Sequence, residues 1–217
     1  MDEDLKKNIL KIGTSLVGIV CKDGVVLAAD RQSTIADIAI SKKERKIEKI
    51  NDYLIFAGTG TASDIRMLGK LVKAELRLKQ LKSKQRPSVK EGANLIGTIA
   101  YNNIRQPTMI PFIAGSLVAG FNEDETFELY SVEPAGTVSK IDDYDANISG
   151  GMAFILGLLE RRYNENLSLK EGVQLALDCI KSAAERHTGS GYGIDVWTVT
   201  KSGVNQIVAQ AIKPSYI

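Results

Sequence analysis

Residues 14–30 read Thr14-Ser15-Leu16-Val17-Gly18-Ile19-Val20-Cys21-Lys22-Asp23-Gly24-Val25-Val26-Leu27-Ala28-Ala29-Asp30. Two apolar runs, 14 to 20 and 25 to 30, flank Lys22-Asp23-Gly24, and Asp-Gly between such runs is a tight-hairpin signal. An antiparallel strand pair is therefore expected. Working outward, further strands are expected at 33–40 and 53–58. From Thr61 the period changes: Ile65, Leu68, Val72 and Leu76 recur every three or four residues, the spacing of a helix face. Pro87, Ser88 and Glu91 form a capping-box start for a second helix running to about Arg105. Strand patterning returns at 112–121 and 126–132, on either side of the polar turn Asn122-Glu123-Asp124-Glu125. A third helix carries Phe154, Ile155, Leu158 and Leu159, and a fourth opens at Ser168 and Glu171 and continues through Val173, Leu177 and Ile180. Two strands, 194–200 and 206–209, close the chain around Lys201-Ser202-Gly203.

The order is thus strands, two helices, strands, two helices, strands. Blocked runs argue against a parallel sheet of βαβ units and for an α+β fold of antiparallel sheets with helices outside them. The second helix pair looks like a copy of the first, although no sequence repeat is present. No stretch reads as a linker, so a single domain is expected.

Composition agrees with that reading. The chain has 217 residues, 44% apolar and 25% charged, with 28 Lys+Arg against 26 Asp+Glu. A net charge near +2 excludes a strongly basic nucleic-acid clamp or an acidic tail. No apolar run approaches the ~20 residues of a membrane span, and the start MDEDLKKNILKIG has no apolar signal core. Cys21 and Cys179 lie far apart in apolar surroundings and read as two reduced, buried thiols. One histidine, His187, leaves no His-rich metal site. The expectation is a soluble, cytoplasmic protein.

Several local patterns read as structure rather than chemistry. Arg77, Lys79, Lys82, Lys84, Arg86 and Lys90 sit at a helix end, where cations complement the dipole. Gly58-Thr59-Gly60-Thr61-Ala62-Ser63 ends a strand and opens a helix, yet lacks the third glycine and the βαβ context of a dinucleotide loop. Gly189-Ser190-Gly191-Tyr192-Gly193 misses the Gly-x-Ser-x-Gly elbow by one position and enters a strand rather than leaving one. His187 reads as an exposed cation at a helix C-terminus, with service to Ser190 as the alternative.

Taken together, Gly13-Thr14-Ser15-Leu16-Val17-Gly18-Ile19, Asp23-Gly24-Val25-Val26-Leu27-Ala28-Ala29-Asp30, Ile40-Ser41-Lys42, Lys46-Ile47, Phe56-Ala57-Gly58 and Gly191-Tyr192-Gly193-Ile194-Asp195-Val196 resemble the proteasome β-subunits of the N-terminal-nucleophile hydrolases, of the archaeal type. The resemblance runs from Gly13 to about Ala209. It implies a four-layer αββα sandwich, with residues 1–13 a propeptide and residues 14–217 the mature domain. It implies autocatalytic cleavage at Gly13–Thr14, after which the freed α-amine, with an ordinary pKa of about 7.7–8.0, takes the proton of the Thr14 hydroxyl. Lys46 would lower the hydroxyl's pKa, Asp30 would hold Lys46, and the Gly58 N–H would stabilise the oxyanion, a donor typically worth about 10²–10³ in rate. Ser190 would support the amine. The strand through Phe56 would line the substrate pocket, which Phe56 would narrow. No cofactor or metal is implied. The implied partners are other β-type subunits in heptameric rings, α-type rings above and below, a regulatory ATPase on the α-ring, and unfolded protein substrates, with neither nucleic acid nor membrane.

Two positions depart from the family pattern. Gly150, within Ser149-Gly150-Gly151, stands where active subunits carry a serine, and His187 stands where they carry an aspartate. Ser15 and Leu16 also replace threonines that often follow the nucleophile. Two functions are therefore expected as alternatives. One is a threonine endopeptidase; Thr14, Asp30, Lys46 and Gly58 favour it, since many inactive subunits have lost the threonine or the lysine. The other is a structural ring subunit that keeps its propeptide beside an active sister, favoured by Gly150 and His187.

Overall fold

A computed structural model describes residues 13–35 and 38–211. Except for Gly13, the expected propeptide lies outside the described residues. The hairpin read from residues 14–30 is present: β1 (Leu16–Cys21) pairs antiparallel with β2 (Gly24–Asp30), from Leu16 opposite Ala29 to Cys21 opposite Gly24. The expected strand at 33–40 is two short strands, β3 (Ser33–Ile35) and β4 (Ile38–Ser41), paired as a hairpin of their own. Next come β5 (Ile47–Asn51) and β6 (Leu54–Gly60), then helices α1 (Ala62–Ser83) and α2 (Val89–Ile104). The second half repeats the plan with β7 (Ala114–Phe121), β8 (Phe127–Val132), β9 (Val138–Ile141) and β10 (Tyr144–Asp145), followed by α3 (Met152–Arg162) and α4 (Leu169–Arg186). Strands β11 (Gly193–Thr200) and β12 (Gly203–Ala211) end it.

Two five-stranded antiparallel sheets result, in the orders β10-β1-β2-β11-β12 and β5-β6-β7-β8-β9. Period-two alternation sorts their side chains into layers. Leu16, Val25, Leu27 and Ala29 of the first sheet meet Ile55, Ala57, Leu117 and Leu129 of the second. Val17, Ile19, Val26 and Ala28 point the other way, onto Ile155, Leu159, Leu175 and Ile180 of α3 and α4. Phe56, Val118 and Val132 face Leu68, Val72 and Ile96 of α1 and α2. The stack is therefore the expected αββα sandwich. Because β1, β2, β6 and β7 are covered on both faces, they read as nearly unbroken apolar runs, although they are antiparallel. Gly18 leaves little room for a side chain between the sheets: a Cβ there would lie 3.0 Å from both Leu129 methyls and from a Leu27 methyl.

Both expected capping boxes form. Ser88 Oγ accepts from Glu91 N at 3.2 Å while Glu91 Oε2 accepts from Ser88 N at 2.9 Å, and Ser168 with Glu171 repeats the arrangement. Cys21 and Cys179 are buried and unpaired, and burial, with Asp23 and Asp178 respectively adding to it, pushes both thiols up to about 12. Among the described residues no helix is long and apolar enough to cross a membrane.

Candidate active site

The strand ends converge at one edge of the sandwich. Thr14 and Ser15 lead into β1 and Asp30 ends β2, so the hairpin register brings them side by side: Asp30 N donates to Ser15 O at 3.1 Å, and Ser15 N returns to Asp30 Oδ1 at 2.8 Å. On its other side Asp30 pairs with Ile194 of β11. Lys46 precedes β5 and crosses between the layers to Asp30 Oδ1, 2.6 Å away. The Asp30 carboxylate is fully buried, and its Oδ2 accepts from Gln32 N and Gly191 N, each at 2.9 Å. Four donors thus fix this one group in charge and orientation.

Lys46 is 7% exposed. Burial pushes its ammonium below the usual lysine range, and the Asp30 carboxylate opposes that shift. The same Nζ lies 3.4 Å from the carbonyl oxygen of Gly13. Thr14, 5% exposed, lines a cavity of about 400 Å³ together with Gly13, Lys46, Gly58 and Gly60. Ile35 and Ile40 of the β3–β4 hairpin, with Ile110 and Ile113, give the cavity an apolar lining, and Glu44, Arg45, Glu48 and Arg66 add charge. Arg66 and Glu44 are paired at 2.6 Å. What the cavity offers is a hydroxyl, a buried cation and a carbonyl at one end of an apolar slot.

The residues read from the sequence as site residues, Thr14, Asp30, Lys46 and Ser190, lie together here, and the structure adds detail at three further positions. Phe56 is fully buried on the helix-facing side of β6, opposite Val118, and takes no part in lining the cavity; alternation along β6 turns Phe56 away from the inter-sheet side. The Gly58 N–H does not stand free, because it donates to the Lys46 carbonyl at 3.0 Å where β5 and β6 begin to pair. Gly58 itself has no room for a side chain, since a Cβ would come within 2.3 Å of Ile65 Cγ2. His187 is not solvent-exposed: it is half-buried, and its Nδ1 shares a 2.7 Å hydrogen bond with Ser190 Oγ, the alternative read from the sequence.

Ser190 Oγ makes a second 2.7 Å bond to Ser15 Oγ. Ser15 was missed as a site residue because it reads as the first small residue of an apolar strand; only the loop folding back from α4 gives its hydroxyl a partner. That loop is held by Gly191 N on Asp30 Oδ2, by Arg31 N on Gly191 O at 3.1 Å, and by left-handed φ values at Gly191, Tyr192 and Gly193. Glycine flanks Tyr192 there because a side chain would strain two of those three positions. The 149–151 turn packs against the same place: Gly151 N donates to Thr14 O at 3.2 Å, and a Cβ on Gly151 would fall 2.1 Å from Ser15 Oγ. Gly150 is exposed, and the neighbouring Ser149 is buried with its hydroxyl unpartnered among the described residues.

Comparison with known proteins gives this arrangement its family. A family model described as proteasome subunit matches residues 10–199. The chain is 38% identical over 200 residues to a proteasome subunit beta of Nanoarchaeum equitans, covering 92% of this chain and 100% of that protein. It is 40% identical to proteasome subunit beta 2 of Pyrococcus abyssi, covering 93% of each, and 37% identical to proteasome subunit beta 1 of Thermococcus kodakarensis, covering 93% and 95%. With the αββα stack and the Thr14, Asp30 and Lys46 cluster already in place, these likenesses are decisive: the chain belongs to the proteasome subunit family, among its β-type members.

Proposed function

We propose that this chain is a threonine endopeptidase subunit of a 20S proteasome core, and that Thr14 becomes its N-terminal nucleophile when residues 1–13 are removed. One observation carries the reading: a buried Lys46–Asp30 pair bonded to the residue after Thr14, with the ammonium also facing the Gly13 carbonyl. A cation there polarises that carbonyl toward attack and stabilises the charge that develops on its oxygen. In self-cleavage the Thr14 Oγ bonds to the Gly13 carbonyl carbon and the C–N bond breaks, leaving an ester and a free α-amine. Water then hydrolyses the ester, releasing residues 1–13 as an acid. In turnover the α-amine takes the hydroxyl proton and the oxygen bonds to the substrate carbonyl carbon; the peptide C–N bond breaks, the leaving amine takes the proton from the α-ammonium, and water hydrolyses the acyl-enzyme.

Gly58 remains the proposed oxyanion donor, by exchange. A developing oxyanion is an acceptor roughly twice as strong as the neutral Lys46 carbonyl that holds the N–H in the resting state, so the reaction draws the donor across. On this reading the subunit stands in heptameric β-rings stacked between α-type rings, in the cytoplasm, and degrades unfolded polypeptides that an ATPase delivers. No cofactor is required, because amine, hydroxyl and lysine all come from the chain. The competing reading, a structural ring subunit that keeps its propeptide, draws on Gly150, where no hydroxyl can reach the amine. Intact mass after co-assembly with an α-type subunit separates the two. Loss of residues 1–13 in the wild type but not in Thr14→Ala is expected; an uncleaved chain in complete, inactive rings would refute the protease reading.

A further inference from the structure

The cationic stretch at the end of α1 does not act as one group. Lys79 pairs with Glu91 at 2.6 Å. Arg77 and Arg86 instead meet Lys73 around a second cavity, of about 400 Å³, between α1, the β5–β6 hairpin and the loop entering α2. Helical spacing puts Lys73, Leu76, Arg77 and Gln80 on one face of α1, at i, i+3, i+4 and i+7. The hairpin supplies Ile50 and Tyr53 to the same cavity. Lys73 and Arg77 are like charges four residues apart, an unfavourable pair on a helix. Among the described residues neither they nor Arg86 has a carboxylate partner, whereas their neighbours Lys49, Arg66 and Lys79 each have one.

The cavity is bordered by donors that the fold holds in place. Arg86 is half-buried: its guanidinium carbon stacks 3.9 Å from the centre of the Tyr53 ring, and Nη2 donates to Phe121 O at 2.6 Å. Most of its five N–H groups lie outside that bond. Arg77 Nη1 donates to Gln80 Oε1 at 3.2 Å, so the Gln80 NH₂ is the end left to donate. Lys73 Nζ is 3.5 Å from Lys49 O, a long contact for an ammonium with three N–H groups. The carboxylate at the rim, Asp52, is drawn off by Lys49 at 2.7 Å and stands largely in solvent. Donors and positive charge thus converge on one space, and the nearest acid is already paired.

We infer that this cavity binds a small anion carrying two linked phosphates, held by Lys73, Arg77 and Arg86 with Gln80 donating beside them. A lone phosphate carries only about −1.5 to −2 at pH 7, too little for three cations, while two together match them. Guanidinium forks suit phosphate oxygens bidentately, and Arg86, already stacked and bonded, loses little freedom on binding. Ile50 and Leu76 give the cavity an apolar floor beside the phosphates. The site lies at the far end of the sandwich from Thr14, since β6 runs from the Tyr53 turn to Gly60 at the catalytic cavity. It does not depend on whether Thr14 is processed.

Binding is measured by isothermal titration calorimetry on the full-length Thr14→Ala chain, with pyrophosphate as the probe at low and moderate salt. One saturable site per chain is expected, weakening as salt screens the charges. Lys73 and Arg77 are exposed, so Lys73→Gln and Arg77→Gln should leave unfolding without the anion unchanged. Each should weaken binding roughly tenfold or more, the worth of a hydrogen bond to a charged group. Lys79→Gln and Lys82→Gln remove the same charge from the same helix outside the cavity, and should change affinity by less than about threefold. Orthophosphate should bind roughly tenfold more weakly than pyrophosphate. Adenosine diphosphate separates the sources of the group: tighter binding than pyrophosphate assigns the apolar floor to a nucleoside, and weaker binding assigns the site to free pyrophosphate or polyphosphate. Absence of saturable binding, equal losses in all four variants, or orthophosphate binding as tightly as pyrophosphate would overturn the proposal.

Discussion

Asp30→Asn tests the centre of the site, because the four donors around the carboxylate leave an amide no workable orientation. Oδ1 accepts from Lys46 Nζ at 2.6 Å and Ser15 N at 2.8 Å; Oδ2 accepts from Gln32 N and Gly191 N, both at 2.9 Å. Whichever way the Asn side chain turns, its NH₂ faces two donors. The Lys46 ammonium, at 7% exposure, also loses its counter-ion. Removing one partner of a buried pair typically costs about 3–5 kcal/mol, and each newly orphaned buried donor adds roughly 1–3 kcal/mol where it cannot relax to water. A net loss of about 3–5 kcal/mol is expected, which moves a urea midpoint down by roughly 1–2 M for ordinary slopes. The background is Thr14→Ala, so that processing does not change the chain during the measurement. The double variant Asp30→Asn, Lys46→Met should recover most of the loss, since removing the ammonium removes the uncompensated charge. A single variant within about 0.5 kcal/mol of its parent, the scale of an ordinary surface change, would refute the reasoning. So would a double variant no more stable than the single.

Two further outcomes follow from the same geometry. Gly189→Ala should slow cleavage of the precursor by at least tenfold, because the new methyl would sit 2.7 Å from the Gly13 backbone. The same substitution in a chain released to begin at Thr14 should leave peptidase activity within about threefold, since the 2.7 Å contact is then gone and the nearest remaining atom is His187 Cε1 at 3.0 Å; equal losses in both forms would show the clash lies elsewhere. Cys21 and Cys179, buried and pushed up to about 12, should resist iodoacetamide at pH 8 in the native chain and react fully in denaturant. Modification of either thiol without unfolding, read by mass, would contradict the packing around α4 and β1.

The sandwich was legible because its strongest signals are local: an Asp-Gly hairpin between apolar runs, two capping boxes, and helix spacing in α1 and α4. The short strands were not. Ile47–Asn51 carries Glu48 and Lys49 in its middle, Val138–Ile141 is an edge strand with two exposed residues, and Tyr144–Asp145 is two residues long, so none offers an alternation to read. Their strand character comes from neighbours across the sheet. The same limit applies at the site. Thr14, Asp30 and Lys46 came from the family resemblance of segments near one end of the chain, whereas the partnership of Ser15 with Ser190 spans 175 residues and exists only once α4 returns to β1. His187 was misread for that reason: at a helix C-terminus the local rule favours an exposed cation, and a tertiary hydroxyl overrides it.

Gly150 and His187, the two departures that the family resemblance implies, therefore differ physically. At position 150 the loss of a side chain leaves an exposed glycine, and Gly151 lets Thr14 and Ser15 pack directly under the turn. At position 187 a hydrogen-bonding group remains, and the bond to Ser190 is made. Only the first leaves no side chain that could bond; the second keeps one, bonded to Ser190. A carboxylate there would accept at any pH near neutrality, while an imidazole accepts only when unprotonated. Restoring an aspartate at 187 should then extend activity to lower pH without raising its plateau, whereas restoring a serine at 150 should raise the plateau without moving the acid limb. If both changes moved the same feature of the profile, the two positions would be acting as one unit and the separate roles assigned to them here would be wrong.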